Sequence, residues 1–381
     1  MVVYNDVLNL REHGHEVFLL ANSHNAGADA ATMERICPTQ YFYQRKKPRW
    51  LQVVGNVGRR LPYSVARYVN RQMAAAARQI IARHDIDVVL AEDVAMAAYG
   101  PLLREELGVP FFVRGHNVDT QVFERFVTSQ RNPVLRLLGG WQKRKMQAYE
   151  GSILAAADGF SMITEQDADQ IRRLFRGLEP AVVGAGTDLR RFQFSDQPRE
   201  PLTIMHVGSL TEFTKLEPML WFAREVLPMV RQRHPDARLE LVGKTPSDAF
   251  APLDGVTVVG RVPDERPYLQ RGRVFIAAQF VGSGVRLKIL NAMATGNAIV
   301  CTPVACEGLP LVDGEHALVR EAADDFADAV TLLLENDALA GKLGRNARRL
   351  VEEKYDWAGI VAGLEELLQQ VVDKRRGPSG A

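Results

Sequence analysis

Between Arg35 and His84 this chain has no Asp or Glu at all. The stretch carries instead Arg35, Arg45, Lys46, Lys47, Arg49, Arg59, Arg60, Arg67, Arg71, Arg78 and Arg83, with Tyr41, Phe42, Tyr43, Trp50 and Tyr63 between them. Arg136, Lys143, Arg144 and Lys145 follow further on. The formal net charge of the 381 residues is only +1, so charge is segregated rather than in excess. No nucleic-acid recognition module accompanies the basic face, and nucleic acid is not an expected partner. An anionic membrane surface is, because basic side chains and interfacial aromatics favour it together. The alternative is a plain solvated basic face. Arg45, Lys46, Lys47, Arg49, Trp50, Arg59 and Arg60 are the expected membrane patch.

Cysteine is scarce: Cys37, Cys301 and Cys306 are all there is. A sparse, odd set fits a reducing compartment better than a disulfide framework. Cys301 and Cys306 lack the further ligands of a zinc site, so no metal is expected. Apolar runs are short. None approaches the roughly 20 residues that span a bilayer, and the N-terminus lacks the basic-then-apolar order of a signal peptide. The expectation is a cytoplasmic protein, peripheral on the inner face of the cell membrane, with no cofactor.

What the chain does have is alternation. Candidate strands at Glu16–Ala21, Asp87–Ala91, Pro110–Arg114, Gly159–Thr164 and Ala181–Val183 alternate with helical stretches. A second series follows at Leu202–Val207, Arg238–Val242, Val256–Val259, Val274–Ala277 and Ala298–Cys301. Strands separated by helices indicate parallel sheets of βαβ units. The polar, proline-bearing segment Asp188–Pro201 reads as a linker. The expected architecture is α/β, with two doubly wound domains facing across a cleft and ligands beyond the carboxyl ends of strands. Residues 1–190 would form the first domain and 200–356 the second.

The most informative segment is Gly282–Pro303, G-S-G-V-R-L-K-I-L-N-A-M-A-T-G-N-A-I-V-C-T-P. It reads as a glycine-flanked loop, an amphipathic helix from about Gly284 to Gly296, and a short buried strand. Leu287, Leu290 and Met293 would share one face. A helix N-terminus beside Gly282, Ser283, Gly284, Val285, Arg286 and Lys288 suits a phosphate or diphosphate. An ordinary surface loop with two solvated cations fits the local pattern equally well.

The wording of this segment resembles the donor-binding region of glycosyltransferase family 4 (group 1). So do E-G-L-P-L-V-D-G-E-H-A-L-V (Glu307–Val319), G-V-T-V-V-G-R-V-P-D-E-R-P-Y-L (Gly255–Leu269) and M-H-V-G-S-L (Met205–Leu210). W-F-A-R-E-V-L-P, G-H-N-V-D (Gly115–Asp119) and V-V-G-A-G-T-D-L-R-R-F (Val182–Phe192) complete an ordered set spanning most of the chain. The resemblance implies the GT-B fold, with a last helix (357–372) crossing back onto the first domain ahead of a frayed tail. It implies sugar transfer from a nucleotide-sugar donor to a glycan or lipid-linked acceptor for a surface polysaccharide, retaining and metal-independent. Arg286, Lys288 and Lys215 would stabilise the leaving diphosphate and His116 would contact the sugar. Gly208, Ser209, Asn291 and Glu307 would join the donor site; the acceptor falls to the first domain.

Three departures stand out. Asn291 occupies the place of a glutamate that holds the ribose hydroxyls, and loses the charge-assisted bonds a carboxylate makes. Ser209 stands where an arginine of the diphosphate clamp is usual. The chain opens M-V-V-Y-N-D-V-L-N-L-R-E-H-G-H-E-V, a helix and then a strand, so the first strand of the N-terminal domain is expected to be missing and a neighbour newly edged. These departures keep a second expectation open, a non-catalytic GT-B protein that binds a nucleotide or partner enzyme.

Overall fold

The computed structural model describes residues 2–23, 33–43, 55–56, 58–130, 132–281 and 285–376. Of the expected site residues, Gly282, Ser283, Gly284, Arg45, Lys46, Lys47, Arg49 and Trp50 lie outside them. The chain divides into two compact units, Met1–Gly184 with Ile360–Ala381, and Ala185–Gly359.

In unit 1 the first described element is a helix, α1 (Val2–Glu12), followed by strands β1 (Leu19–Ser23) and β2 (Thr39–Tyr43). Then come α2 (Tyr63–Ala66), α3 (Arg71–Arg83), β3 (Val89–Glu92), α4 (Gly100–Leu107), β4 (Phe111–Gly115), α5 (Asp119–Ser129) and α6 (Pro133–Ala156). β5 (Gly159–Met162), α7 (Glu165–Leu174) and β6 (Ala181–Val182) complete the run. Helix starts follow the sequence: Asn70, Asn132 and Thr164 each accept a backbone N–H from the first turn that follows, and Pro133 opens α6. β4 is buried at all five positions, as a strand covered on both faces should be.

The strands of unit 1 form two parallel sheets, β1-β2 and β3-β4-β5-β6, not joined to each other by ladder hydrogen bonds among the described residues. Leu20 of β1, Phe42 of β2 and Val89 of β3 still share one apolar cluster with Met73, Tyr99 and Leu103. Among the described residues, β1 pairs only with β2 and β3 only with β4. β2 was absent from the expected strands because its T-Q-Y-F-Y sits inside the basic stretch and reads there as interfacial aromatics. Phe42 packs inward instead, and the Tyr63 ring stands edge-on to Phe123 at 6.0 Å between centroids.

Unit 2 holds β7 (Glu200–Val207), α8 (Phe213–Trp221), α9 (Leu227–Arg233), β8 (Arg238–Val242), β9 (Val256–Gly260), α10 (Arg266–Arg271) and β10 (Gly272–Ala277). α11 (Leu287–Ala294), β11 (Ala298–Cys301), β12 (Leu318–Val319), α12 (Ala323–Glu335) and α13 (Asp337–Lys354) follow. All ten expected strands are found, with ends displaced by a few residues; β2 and β12 are additional. The helix α14 (Trp357–Arg376) closes the chain. Its Leu364 and Val371 pack with Phe112 and Val183 in unit 1, where Glu365 also meets His13 and His15. It runs past the expected end at Val372, because Lys374, Arg375 and Arg376 in the last turn suit a helix C-terminus.

α11 corrects the sequence reading in two ways. It begins at Leu287, with Arg286 as N-cap, rather than near Gly284. It is also not amphipathic, since every residue from Ile289 to Ala294 is buried. The sheet covers one side and α13 the other, as Leu350 and Val351 pack in the same cluster as Ile289 and Met293.

Candidate active site

The sheet of unit 2 runs β9-β8-β7-β10-β11-β12, all parallel, so the winding reverses between β7 and β10. In doubly wound sheets the crevice at that reversal, beyond the carboxyl ends of the two strands, is where ligands bind. Here the chain leaves β7 at Gly208 and β10 at Ala278 and Gln279. Gly208 and Gly243 have φ of 147° and 125°, and a Cβ on Gly243 would lie 2.3 Å from the Gly208 carbonyl oxygen. Only glycine permits these two strand ends to touch backbone to backbone.

Lys288, on the first turn of α11, reaches this point. Its Nζ donates to His206 Nε2 at 3.2 Å. His206 is buried in β7 and donates from Nδ1 to the Ile276 carbonyl at 3.0 Å. That bond fixes the tautomer and leaves Nε2 as an acceptor. Burial, and then the Lys288 charge, hold the imidazole well below its ordinary range, so it stays neutral. Lys288 itself is pushed down to about 7, first by burial and then by the charges of Arg286 and Lys215. Each influence disfavours the ammonium, and an arriving anion would restore it. The side chain is half-buried, both desolvated and within reach of a ligand.

Around it the other expected residues fall into two groups. Arg286 is half-buried, and its Nε donates to Gln279 Oε1 at 2.8 Å. Gln279 is locked in turn, since its backbone N–H donates to Thr302 Oγ1 at 3.0 Å and Thr302 donates back to the Gln279 carbonyl at 2.6 Å. Lys215, at the start of α8, pairs with Glu212 at 3.1 Å on the surface. Val285 packs on the unit-2 core beside Leu287. These side chains and Gly208 form one cationic group at the switch point. Ser209 stands apart, its hydroxyl bonded to Thr211 at 3.1 Å, and Glu307 sits half-buried in the turn after β11.

Asn291 is buried and turned toward other partners. It accepts from the Thr187 hydroxyl at 2.8 Å and donates from Nδ2 to Glu265 Oε1 at 3.2 Å. Burial raises the Glu265 carboxyl, while Arg191 and the Asn291 amide oppose that rise. A carboxylate is therefore present beside position 291, carried by residue 265 instead. Asn291→Glu should consequently cost stability, by about 1–3 kcal/mol, because two carboxylates would face each other where an amide now donates to one. Urea melts at pH 7.5 check this: Asn291→Glu should be the weaker protein, and adding Glu265→Gln should recover most of the loss.

In unit 1, His116 follows β4 and donates from Nε2 to Glu92 Oε2 at 2.7 Å. Glu92 ends β3. Beneath it Arg114, fully buried, donates to the Asp6 carboxylate and, at 2.6 Å, to the Gly184 carbonyl. Asp6 is pushed up to about 7 by burial, against the pull of Arg114, and Glu92 raises it further. Among the described residues, Asp6 Oδ1 and Glu92 Oε1 are both buried without a hydrogen-bond donor. Nearby, Glu150 accepts the backbone N–H groups of Asp119 and Thr120 at the start of α5, at 2.8 and 3.1 Å. Asp119 is pushed up to about 8 by burial and by Asp93 and Glu150. Two open cavities of about 330 and 320 Å³ lie elsewhere on unit 1, beside Thr39 and beside Val371, and none of these side chains lines them.

Sequence reasoning missed Asp6, Glu92, His206, Glu265 and Gln279. His206 alone carried a signal, a lone imidazole in the otherwise apolar second half of β7, I-M-H-V.

A cationic group at the switch point of a parallel α/β sheet has the chemistry to hold an anionic ligand. Residues 1–186 match the model for the glycosyl transferase 4-like domain, and residues 201–336 that for the glycosyl transferases group 1. The chain belongs to the group 1 glycosyltransferases, transferases of the GT-B fold. It is 22% identical over 370 residues to an uncharacterised 44.6 kDa protein in the cps region of Klebsiella pneumoniae, covering 93% of this chain and 92% of that one. It is 26% identical over 209 residues to the phosphatidyl-myo-inositol mannosyltransferase of Mycolicibacterium smegmatis, a match covering 51% of this chain and 53% of that enzyme. Among solved structures, sucrose-phosphate synthase from Thermosynechococcus elongatus superposes with a TM-score of 0.71 at 18% identity, covering 97% of this chain and 92% of that one. HepE from Anabaena, in complex with UDP, gives 0.70 at 12% identity and covers 96% of each chain.

Proposed function

We propose that this transferase moves a sugar from a nucleotide-sugar donor to a glycan or lipid-linked acceptor, in the synthesis of a surface polysaccharide or glycolipid. The observation that carries the reading is the Lys288–His206 contact at the switch point, with Arg286 and Lys215 around it. Lys288, Arg286 and Lys215 hold the diphosphate and neutralise the charge that develops on it as the sugar departs. Gly208 and Val285 lie beside it, with Gly282, Ser283, Gly284 and Glu307 as further donor contacts, while Asn291 and Ser209 keep the protein partners described for them. The acceptor oxygen bonds to the anomeric carbon on the face from which the diphosphate leaves, with retention and without a metal. Unit 1 serves the acceptor, and His116, oriented by Glu92, contacts the transferred sugar. The protein works in the cytoplasm, peripheral on the inner face of the cell membrane. Supporting this reading, the HepE structure holds UDP, the mycobacterial relatives are phosphatidyl-myo-inositol mannosyltransferases, and the Klebsiella relative is a cps-region protein.

Calorimetry of the intact chain with UDP, GDP and ADP tests the donor site. One of the three should bind, and its sugar conjugates should then label a lipid or glycan acceptor in a membrane extract. Silence with all three diphosphates would overturn the reading.

A further inference from the structure

We propose that the turn end of the α5–α6 hairpin is a docking knuckle that seats on an anionic lipid bilayer, with Val134, Leu135 and Leu137 inserted among the headgroups. The proposal rests on the reading above, in that a lipid-linked acceptor requires the enzyme at a membrane. α5 and α6 pack so closely that a Cβ on Gly139 would lie 2.8 Å from Val127 and 3.3 Å from Phe126. Val134 is 62% exposed and Leu137 76%, with Leu135 also exposed. They are held on an ordered helix, because the Asn132 side chain accepts from the backbone N–H groups of Val134 and Leu135. Large aliphatic side chains fixed in water at a hairpin end favour an apolar boundary layer.

Charge says which one. Between residues 120 and 148 the sole acidic residue is Glu124, while Arg125, Arg131, Arg136, Lys143, Arg144 and Lys145 are basic. Lys143 holds Glu124 at 2.6 Å, which removes that charge from the balance. Arg136 and Arg144 are exposed. Lys145 lies 4.0 Å over the Trp141 ring and donates to Asn56 Oδ1 at 2.9 Å. This ties the segment carrying exposed Arg59 and Arg60 to the flank of α6. Arg144 is about 10 Å along the helix from Leu137. An apolar point with a basic collar set back from it complements acyl chains below anionic headgroups, where each cation near the surface strengthens binding roughly fivefold. Arg59 and Arg60 of the expected membrane patch thus lie in a segment tied to the helix that carries the apolar side chains.

Co-sedimentation of the intact chain with vesicles tests this. Vesicles of phosphatidylcholine with one-third phosphatidylglycerol should recover the native chain at low salt, and phosphatidylcholine alone should recover much less. Leu137→Asp with Val134→Asp should weaken binding by at least roughly tenfold. Arg136→Glu with Arg144→Glu should abolish the preference for anionic vesicles. Circular dichroism confirms folding, since all four positions are exposed. Equal recovery with both vesicle types, or undiminished binding by the Asp pair, overturns the proposal. So does a native dimer in light scattering that the Asp pair dissolves without loss of vesicle binding. UDP, GDP and ADP calorimetry on the same preparations separates the two readings, as vesicle binding with silent calorimetry sinks the donor site and leaves the knuckle standing.

Discussion

Lys288→Met should leave the chain folded and weaken nucleoside diphosphate binding by roughly a hundredfold. Methionine keeps the length and apolar character of the stem and removes only the ammonium. That ammonium is bonded to a neutral imidazole at 3.2 Å, so its loss should cost the fold only the one hydrogen bond to His206, about 1–3 kcal/mol. The same geometry gives a pH dependence. Lys288 titrates near 7 in the free protein, and a bound diphosphate favours its charged form. Binding above pH 7 must therefore draw a proton from solution, and affinity should fall as pH rises from 6.5 to 8.5, by up to roughly tenfold per unit. Calorimetry in two buffers of different ionisation heat measures that uptake, which Lys288→Met should abolish. Equal affinity across this range, or an unaffected variant, would show that the diphosphate binds elsewhere.

Arg114→Met should destabilise the chain by about 3–5 kcal/mol. Arg114 is fully buried, and its removal strands the Asp6 carboxylate and the Gly184 carbonyl. The cost should depend on pH in a definite direction. Asp6 has its folded value raised from 3.8 to about 7. The stability it contributes is fully present below about pH 4 and is lost as pH rises through 7. Removing Arg114 raises Asp6 further, because the arginine was the influence holding it down. Urea melts should accordingly show a larger deficit at pH 8 than at pH 5.5, where the acid is protonated and needs no cation. Asp6→Asn added to Arg114→Met should recover much of the loss at pH 8. A pH-independent deficit would mean that packing, not charge, is what Arg114 supplies.

Much of the fold could be read from the sequence because parallel strands advertise themselves as short β-branched runs between helices. The site was half legible. Arg286 and Lys288 declare themselves by their place after a glycine-rich loop, and His116 by its place after a strand. Their partners do not. Lys288 meets His206 across 82 positions and Arg114 meets Asp6 across 108, and neither spacing repeats a local period. Asn291 shows the same limit in another form. The sequence displays a missing carboxylate, and the fold brings Glu265 to it from 26 positions away. β2 was hidden for a different reason, since its aromatic residues sit among cations and match a surface pattern as well as a strand.

α11 is enclosed along its length, by sheet on one side and by α13 on the other. A lysine rooted in such a helix has little freedom of position to surrender when an anion arrives. The entropy of arranging the cationic group is therefore settled during folding, and binding is spared that cost. The same rigidity runs in reverse. Gly296 ends the turn after α11 at φ 75°, with Phe194 2.4 Å from where a Cβ would stand. A side chain forced in there would press on the C-terminal end of the same buried helix that carries the ammonium, so the placement of the cationic group is the property of a whole core rather than of the residues that line it.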